Sequence, residues 1–165
     1  MRKAAIIMGS DSDLPVAEKV VSKLSQLSVP YEVHVISAHR TPELARTFAR
    51  DAEKNGFGVI ISIAGKAAHL GGVLASHTLL PVIGIPVSSS DFSGMDALLS
   101  TVQMPPGVPV ASMAVGGAVN AAVFAAQILA LGDAGLAQRL YADRNDMRDK
   151  VIRKDKEIGE RFNGN

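Results

Sequence analysis

The sequence of 165 residues has no cysteine and no tryptophan. Disulfides and thiolate metal sites are therefore excluded, and a reducing compartment suits the chain. Its two tyrosines, Tyr31 and Tyr141, stand at a strand entry and in the tail, which leaves no obvious aromatic to stack on a flavin. Charge of one sign is also missing. Lys+Arg number 17 and Asp+Glu 16, a formal charge of +1, so no broad surface for nucleic acid or anionic membrane is expected and any anion preference must be local. No apolar run approaches the ~20 residues of a membrane span. The start, "MRKAAIIMGSDSD", breaks its apolar run too early for a signal peptide. A soluble, cytoplasmic protein with no nucleic-acid or membrane partner is expected.

What is present is an alternation of strand and helix patterns. The runs "KAAIIM" (Lys3 to Met8), "YEVHVI" (Tyr31 to Ile36), "GVIISIAG" (Gly58 to Gly65), "PVIGIPV" (Pro81 to Val87) and "VPVASMAV" (Val108 to Val115) read as strands. Between them, helices are predicted over Leu14 to Leu27, Pro42 to about Asn55, His69 to His77, and Met95 to Met104, with a fifth over Ala118 to Leu131. Strands separated by helices indicate a parallel sheet covered on both faces, an α/β fold of three layers with flavodoxin-like order 2-1-3-4-5. The fifth helix is apolar almost all round and is expected to meet other subunits. Residues 1–132 are read as the α/β catalytic domain. Residues 133–165, highly charged with sparse Leu136, Leu140, Met147, Val151 and Ile158, are read as a helical extension that packs on neighbouring subunits and frays near Asn163.

Ligands of open parallel sheets lie beyond the carboxyl ends of the strands, and four such ends carry small, polar or ionisable residues. "GSDSD" offers Gly9 for close backbone approach, with Ser10, Ser12 and Asp13 at a helix start; Ser12 or Asp13 serves equally well as a helix N-cap. "SAHRTP" offers Ser37, Ala38, a proton carrier in His39 and a phosphate-gripping cation in Arg40. "AGKAAHLGG" supplies Gly65, Lys66, Ala67, His69 and Leu70, and "PVSSSDFSG" a small polar loop. His34 and His77 are read as structural. A receiver domain would need an aspartate at the end of the third strand, where "IAGKAAH" has none, and "MGSDSD" does not match the G-x-G-x-x-G of dinucleotide enzymes. A small phosphorylated ligand, handled without metal or redox cofactor, remains.

In order and spacing, "MGSDSD", "SAHRTP", "AGKAAHL", "LPVIGIPV", "GMDALLSTVQMPPGVPVA" and "NAAVFAAQIL" closely resemble the bacterial N5-carboxyaminoimidazole ribonucleotide mutases, the PurE family of purine biosynthesis. The resemblance implies transfer of a carboxyl group from nitrogen to ring carbon of an aminoimidazole ribonucleotide, without cofactor or metal, in an octamer. It implies His39 as general acid and base. Ser10, Ser12, Asp13, Ser37 and Arg40 would form the nucleotide site, with Arg40 and the serines toward phosphate and Asp13 toward the ribose hydroxyls. Gly65, Ala67, His69 and Leu70 would close over the carboxylate. It also implies functional coupling to a carbamate-forming synthetase. Two departures stand out: where these mutases usually read "AGGAAHLPG", Lys66 replaces a glycine and Gly71 a proline. A related branch that carboxylates aminoimidazole ribonucleotide directly with CO2 usually has a basic residue at the place of Lys66, but "AHK" where this chain has "AHRTP". Arg40 and His69 favour the mutase. The direct carboxylase, and a purine-nucleotide-binding module without turnover, are the alternatives.

Overall fold

The computed structural model describes residues 1–163. Five parallel strands run in the order β2-β1-β3-β4-β5: β1 Lys3–Met8, β2 Tyr31–Val35, β3 Phe57–Gly65, β4 Val82–Val87 and β5 Ala111–Ser112. The helices are α1 Leu14–Gln26, α2 Pro42–Asp51, α3 Leu70–Ala75, α4 Met95–Val102, α5 Ala118–Ala130 and α6 Ala134–Phe162. This is the expected three-layer order. Alternate residues of the central strands enter two cores. Ile6, Ile61, Ile63, Ile83 and Ile85 pack beneath α1, α5 and the start of α6, while Ala5, Ile7, Ile60 and Val82 pack beneath α2 and α3.

Four expectations are revised. The fifth strand is only Ala111–Ser112, because Pro109 has no N–H to give to a ladder; beyond it, Met113 and Gly116 donate singly to the carbonyls of Gly84 and Pro86. Burial on both faces fails at β2, where Val33 and Val35 are exposed at the sheet edge. α2 ends at Asp51 rather than near Asn55, and α3 is confined to Leu70–Ala75.

Small residues bring α5 close to the sheet: Ala118, Ala121, Ala122, Ala125 and Ala126 are all buried. α6 begins on an Asp133 cap whose Oδ1 accepts from Leu136 N–H at 2.8 Å. Its first turns lie on the chain's own α1 and α5. Leu136 is fully buried, Arg139 Nε donates to the Leu27 carbonyl that ends α1, and Lys23 pairs with Asp143. Farther along, Met147, Val151, Ile158 and Phe162 are exposed. Among the described residues, no helix is long and apolar enough to cross a membrane.

Candidate functional site

The turns after β1, β2, β3 and β4 surround a cleft of about 470 Å³. Because β1 lies between β2 and β3, the chain reverses its winding here, which is where such sheets open a crevice. Every site residue expected from the sequence except His69 lines the cleft, and His69 touches it through His39.

The β1 turn is fixed by Ser10, whose Oγ accepts from Ser12 N–H at 3.3 Å. Asp13 holds the N-cap position of α1 without making a side-chain cap bond, so its carboxylate remains available to a ligand. Asp13 as a whole residue is 7% exposed. Loss of water raises its pKa above the usual 3.8, against a backbone bond from Ser10 that lowers it, and the neighbouring Asp11 charge raises it further. A Cβ on Gly9 would meet no protein atom nearer than 3.8 Å. The fold itself would accept a Cβ there in ordinary van der Waals contact.

The β2 turn is held by Thr41, a residue to which the sequence reading assigned no role. Its Oγ1 accepts from Ser37 N–H at 3.0 Å and donates to Ser37 O at 2.9 Å. A threonine just before Pro42 reads as a helix cap, yet it makes no cap bond and instead locks the turn carrying His39 and Arg40. Arg40 is oriented in the same way: Nη2 donates to Gly9 O at 3.1 Å and Nε to Ser37 Oγ at 3.3 Å. This guanidinium thus ties the first two turns together and presents its remaining N–H groups and its full charge to the opening.

The β3 turn brings the second imidazole across. His39 Nε2 and His69 Nδ1 lie 3.1 Å apart, with rings edge to face at 80°. At that distance one ring nitrogen can donate its N–H to the other, the direction being set by the tautomers. Two tight bonds, Ala68 N to Lys66 O at 2.9 Å and His69 N to Ala67 O at 2.8 Å, coil the turn. Lys66 sits at its start in the left-handed region, at φ +54°. On the β4 side Ser88 and Ser89 line the cleft; the polar run "SSSD" was their signal. The helix opening at Leu70 is bare beneath because Gly71 lies against Ser62, where a Cβ would meet Oγ at 2.7 Å. The other two histidines stand apart: His34 meets Phe48 with ring centroids 5.1 Å apart and planes tilted by 57°, and His77 borders a separate groove.

An anchored arginine, a buried carboxylate, two imidazoles in contact and small residues on four neighbouring turns suit a small anionic ligand and proton transfer. The family model described as AIR carboxylase matches residues 3–150. The chain belongs to the AIR carboxylase family. Within that family it is 52% identical over 148 residues to an N5-carboxyaminoimidazole ribonucleotide mutase of Pyrococcus abyssi, covering 90% of this chain and 85% of the relative. It is 50% identical over 152 residues to the protein of the same name from Escherichia coli K12, covering 91% and 90%. The crystal structure of Treponema denticola PurE superposes with a TM-score of 0.86 at 30% identity, covering 94% of this chain and 97% of that one. The superposition on PurE agrees with the sheet order.

Proposed function

We propose that the chain is an N5-carboxyaminoimidazole ribonucleotide mutase acting in the cleft at the strand ends. The observation that carries the reading is the His39–His69 contact at 3.1 Å beside an Arg40 already anchored on Gly9 and Ser37, in a chain half identical to proteins of that name over nearly its whole length. Arg40, Ser10, Ser12 and Ser37 take the phosphate, and Asp13 accepts from the ribose hydroxyls.

The chemistry then balances with one histidine. The N–C bond of the carbamate breaks and releases CO2, and the electron pair left on nitrogen takes a proton from protonated His39. The electron-rich ring carbon next attacks CO2, forming the new C–C bond. Neutral His39 removes the proton from that carbon and the ring regains aromaticity. No net proton is gained and no oxidation state changes hands with a carrier, so neither metal nor organic cofactor is called for. Ala38, Gly65, Ala67 and Leu70 keep the pocket small and dry, which holds CO2 between the two steps. A carbamate-forming synthetase would supply the substrate.

With this activity goes a homo-octamer in the cytoplasm. Its support is the apolar surface left uncovered on one chain: Leu79 is 100% exposed and Leu131 89%, and Met147, Val151 and Ile158 stand out from the free end of α6, where a neighbour would cover them. Light scattering should give the mass of eight 17.3-kDa chains; a monomer would end both the assembly and any contact between subunits near the site. The activity is tested by offering purified protein either the carbamate or aminoimidazole ribonucleotide with bicarbonate. Consumption of the carbamate is expected. Turnover of the second mixture alone would make the chain a direct carboxylase, the reading Lys66 favours, and binding without turnover of either would make it a nucleotide-binding module.

A further inference from the structure

Arg40 and Lys66 are the arginine and the lysine among the described residues that line the cleft. Arg40 is fixed by two internal hydrogen bonds. Lys66 is held differently. Its backbone occupies the left-handed region at φ +54°, a conformation disfavoured for any residue carrying a Cβ. Its Nζ lies 3.8 Å from Asp91 Oδ2 in the loop between β4 and α4, with the two side chains 73% and 62% exposed. At that distance the contact is an ion pair without a good hydrogen bond, and pairs so exposed are weak and easily exchanged. The lysine therefore spans the mouth from the β3 turn to the β4 loop, on a partner it can leave at little cost.

Resting on the proposed reading of the cleft as a carboxylated ribonucleotide site, we infer that Lys66 determines specificity by exchanging Asp91 for the carboxylate of the bound nucleotide. Two cations then meet two anions: Arg40 meets the phosphate and Lys66 the carboxylate. Asp91 acts as an internal competitor. A ligand with no carboxylate leaves the Lys66–Asp91 pair in place and gains nothing from it. A carboxylated ligand takes the ammonium, and the attraction strengthens as the ligand displaces water from the cleft. Discrimination arises as a difference between two anions for one cation.

The test is calorimetric binding of 4-carboxyaminoimidazole ribonucleotide and of uncarboxylated aminoimidazole ribonucleotide to the wild type, Lys66→Gln, Asp91→Asn and the double variant. Both sites are exposed, and thermal melts check that the fold is kept. Lys66→Gln should weaken binding of the carboxylated nucleotide about two- to fivefold, the range of an exposed pair, and leave the uncarboxylated one unchanged. Asp91→Asn should tighten the carboxylated nucleotide by freeing the lysine, and should have no effect once Lys66 is glutamine. An Asp91→Asn effect of the same size in both backgrounds, no effect in either, or equal weakening of both nucleotides by Lys66→Gln would overturn the inference. Carbamate turnover by the same wild-type sample judges the mutase separately: selectivity that depends on Lys66 without turnover keeps the inference and removes the enzyme.

Discussion

Arg40 is the residue whose removal should separate grip from chemistry. Its Nη2 and Nε N–H groups donate to Gly9 O and Ser37 Oγ, leaving the rest of a guanidinium's five N–H donors for an anion. A hydrogen bond to a charged group contributes ~1.5–3 kcal/mol when one partner is deleted. The side chain is exposed, so Arg40→Ala should fall at the lower end, a loss of about tenfold in affinity. The fold should survive, because Gly9 O and Ser37 Oγ lie at an open cleft where water can replace the guanidinium. Arg40→Lys keeps the charge and loses the fork that orients it, and should fall between wild type and alanine. Titration calorimetry with the product nucleotide reads the grip, and single-turnover rates at saturating carbamate read the chemistry. A near-normal single-turnover rate with weakened binding is expected. If Arg40→Ala binds like wild type yet no longer transfers the carboxyl group, the guanidinium acts on the reacting atoms and its assignment to the phosphate is wrong.

The remaining expectations use the same assays. His39→Asn should bind nucleotide nearly normally and lose ~10²–10⁴-fold in the chemical step, as expected for removal of a general acid and base, while His69→Asn should cost less; the opposite ranking would move the proton to the β3 turn. Asp13→Asn should weaken nucleotide binding and raise the melting temperature at neutral pH. Burial lifts the Asp13 pKa above 3.8, so the folded wild type loses stability as pH rises from 3.8 through that raised value, and the variant does not. The stability difference should therefore vanish below pH 3.8, and a difference that persists in acid would refute the cause. Lys66→Gly should relieve the left-handed strain at φ +54° by more than the added freedom of the unfolded chain, a net gain of about 0.5–1 kcal/mol. That corresponds to a rise of roughly 1–4 °C in melting temperature, and a fall would show that the lysine holds the turn.

The parallel sheet and the strand-end position of the cleft were legible because both follow from local pattern. Apolar runs alternating with 3.6-residue periodicity imply parallel strands under helices, and parallel strands put every β-to-α turn on one edge. What the pattern lacks is register and distance. His39 and His69 are 30 residues apart in sequence, and nothing local says that two strand ends stand close enough for their imidazoles to share a proton. The same holds for Lys66 and Asp91, whose pairing depends on how far the β4 loop leans over the mouth. Thr41 was missed for a different reason: its place before Pro42 matches a helix cap, and only the bonds to Ser37, four residues back in the same turn, reveal that its hydroxyl closes the turn instead. The overextended fifth strand shows the converse error, since Val108 to Val115 has strand composition but Pro109 breaks the ladder that composition alone suggests.

The two missed pairings share a physical origin that also bears on the chemistry. His39–His69 and Lys66–Asp91 are contacts between turns, and a site assembled from four turns on one rigid sheet takes its precision from strand spacing rather than from any one motif. β1 hydrogen-bonds to both β2 and β3, so the Gly9 turn lies between the turn carrying His39 and Arg40 and the turn carrying Lys66 and His69. Arg40 crosses to Gly9 on one side, and His69 crosses to His39 over the top. A substrate entering between them meets an anion grip and a proton carrier whose separation is set by neighbouring strands of the core. That is the arrangement a reaction needs when it must release CO2 at one atom and recapture it at another without letting either fragment turn away.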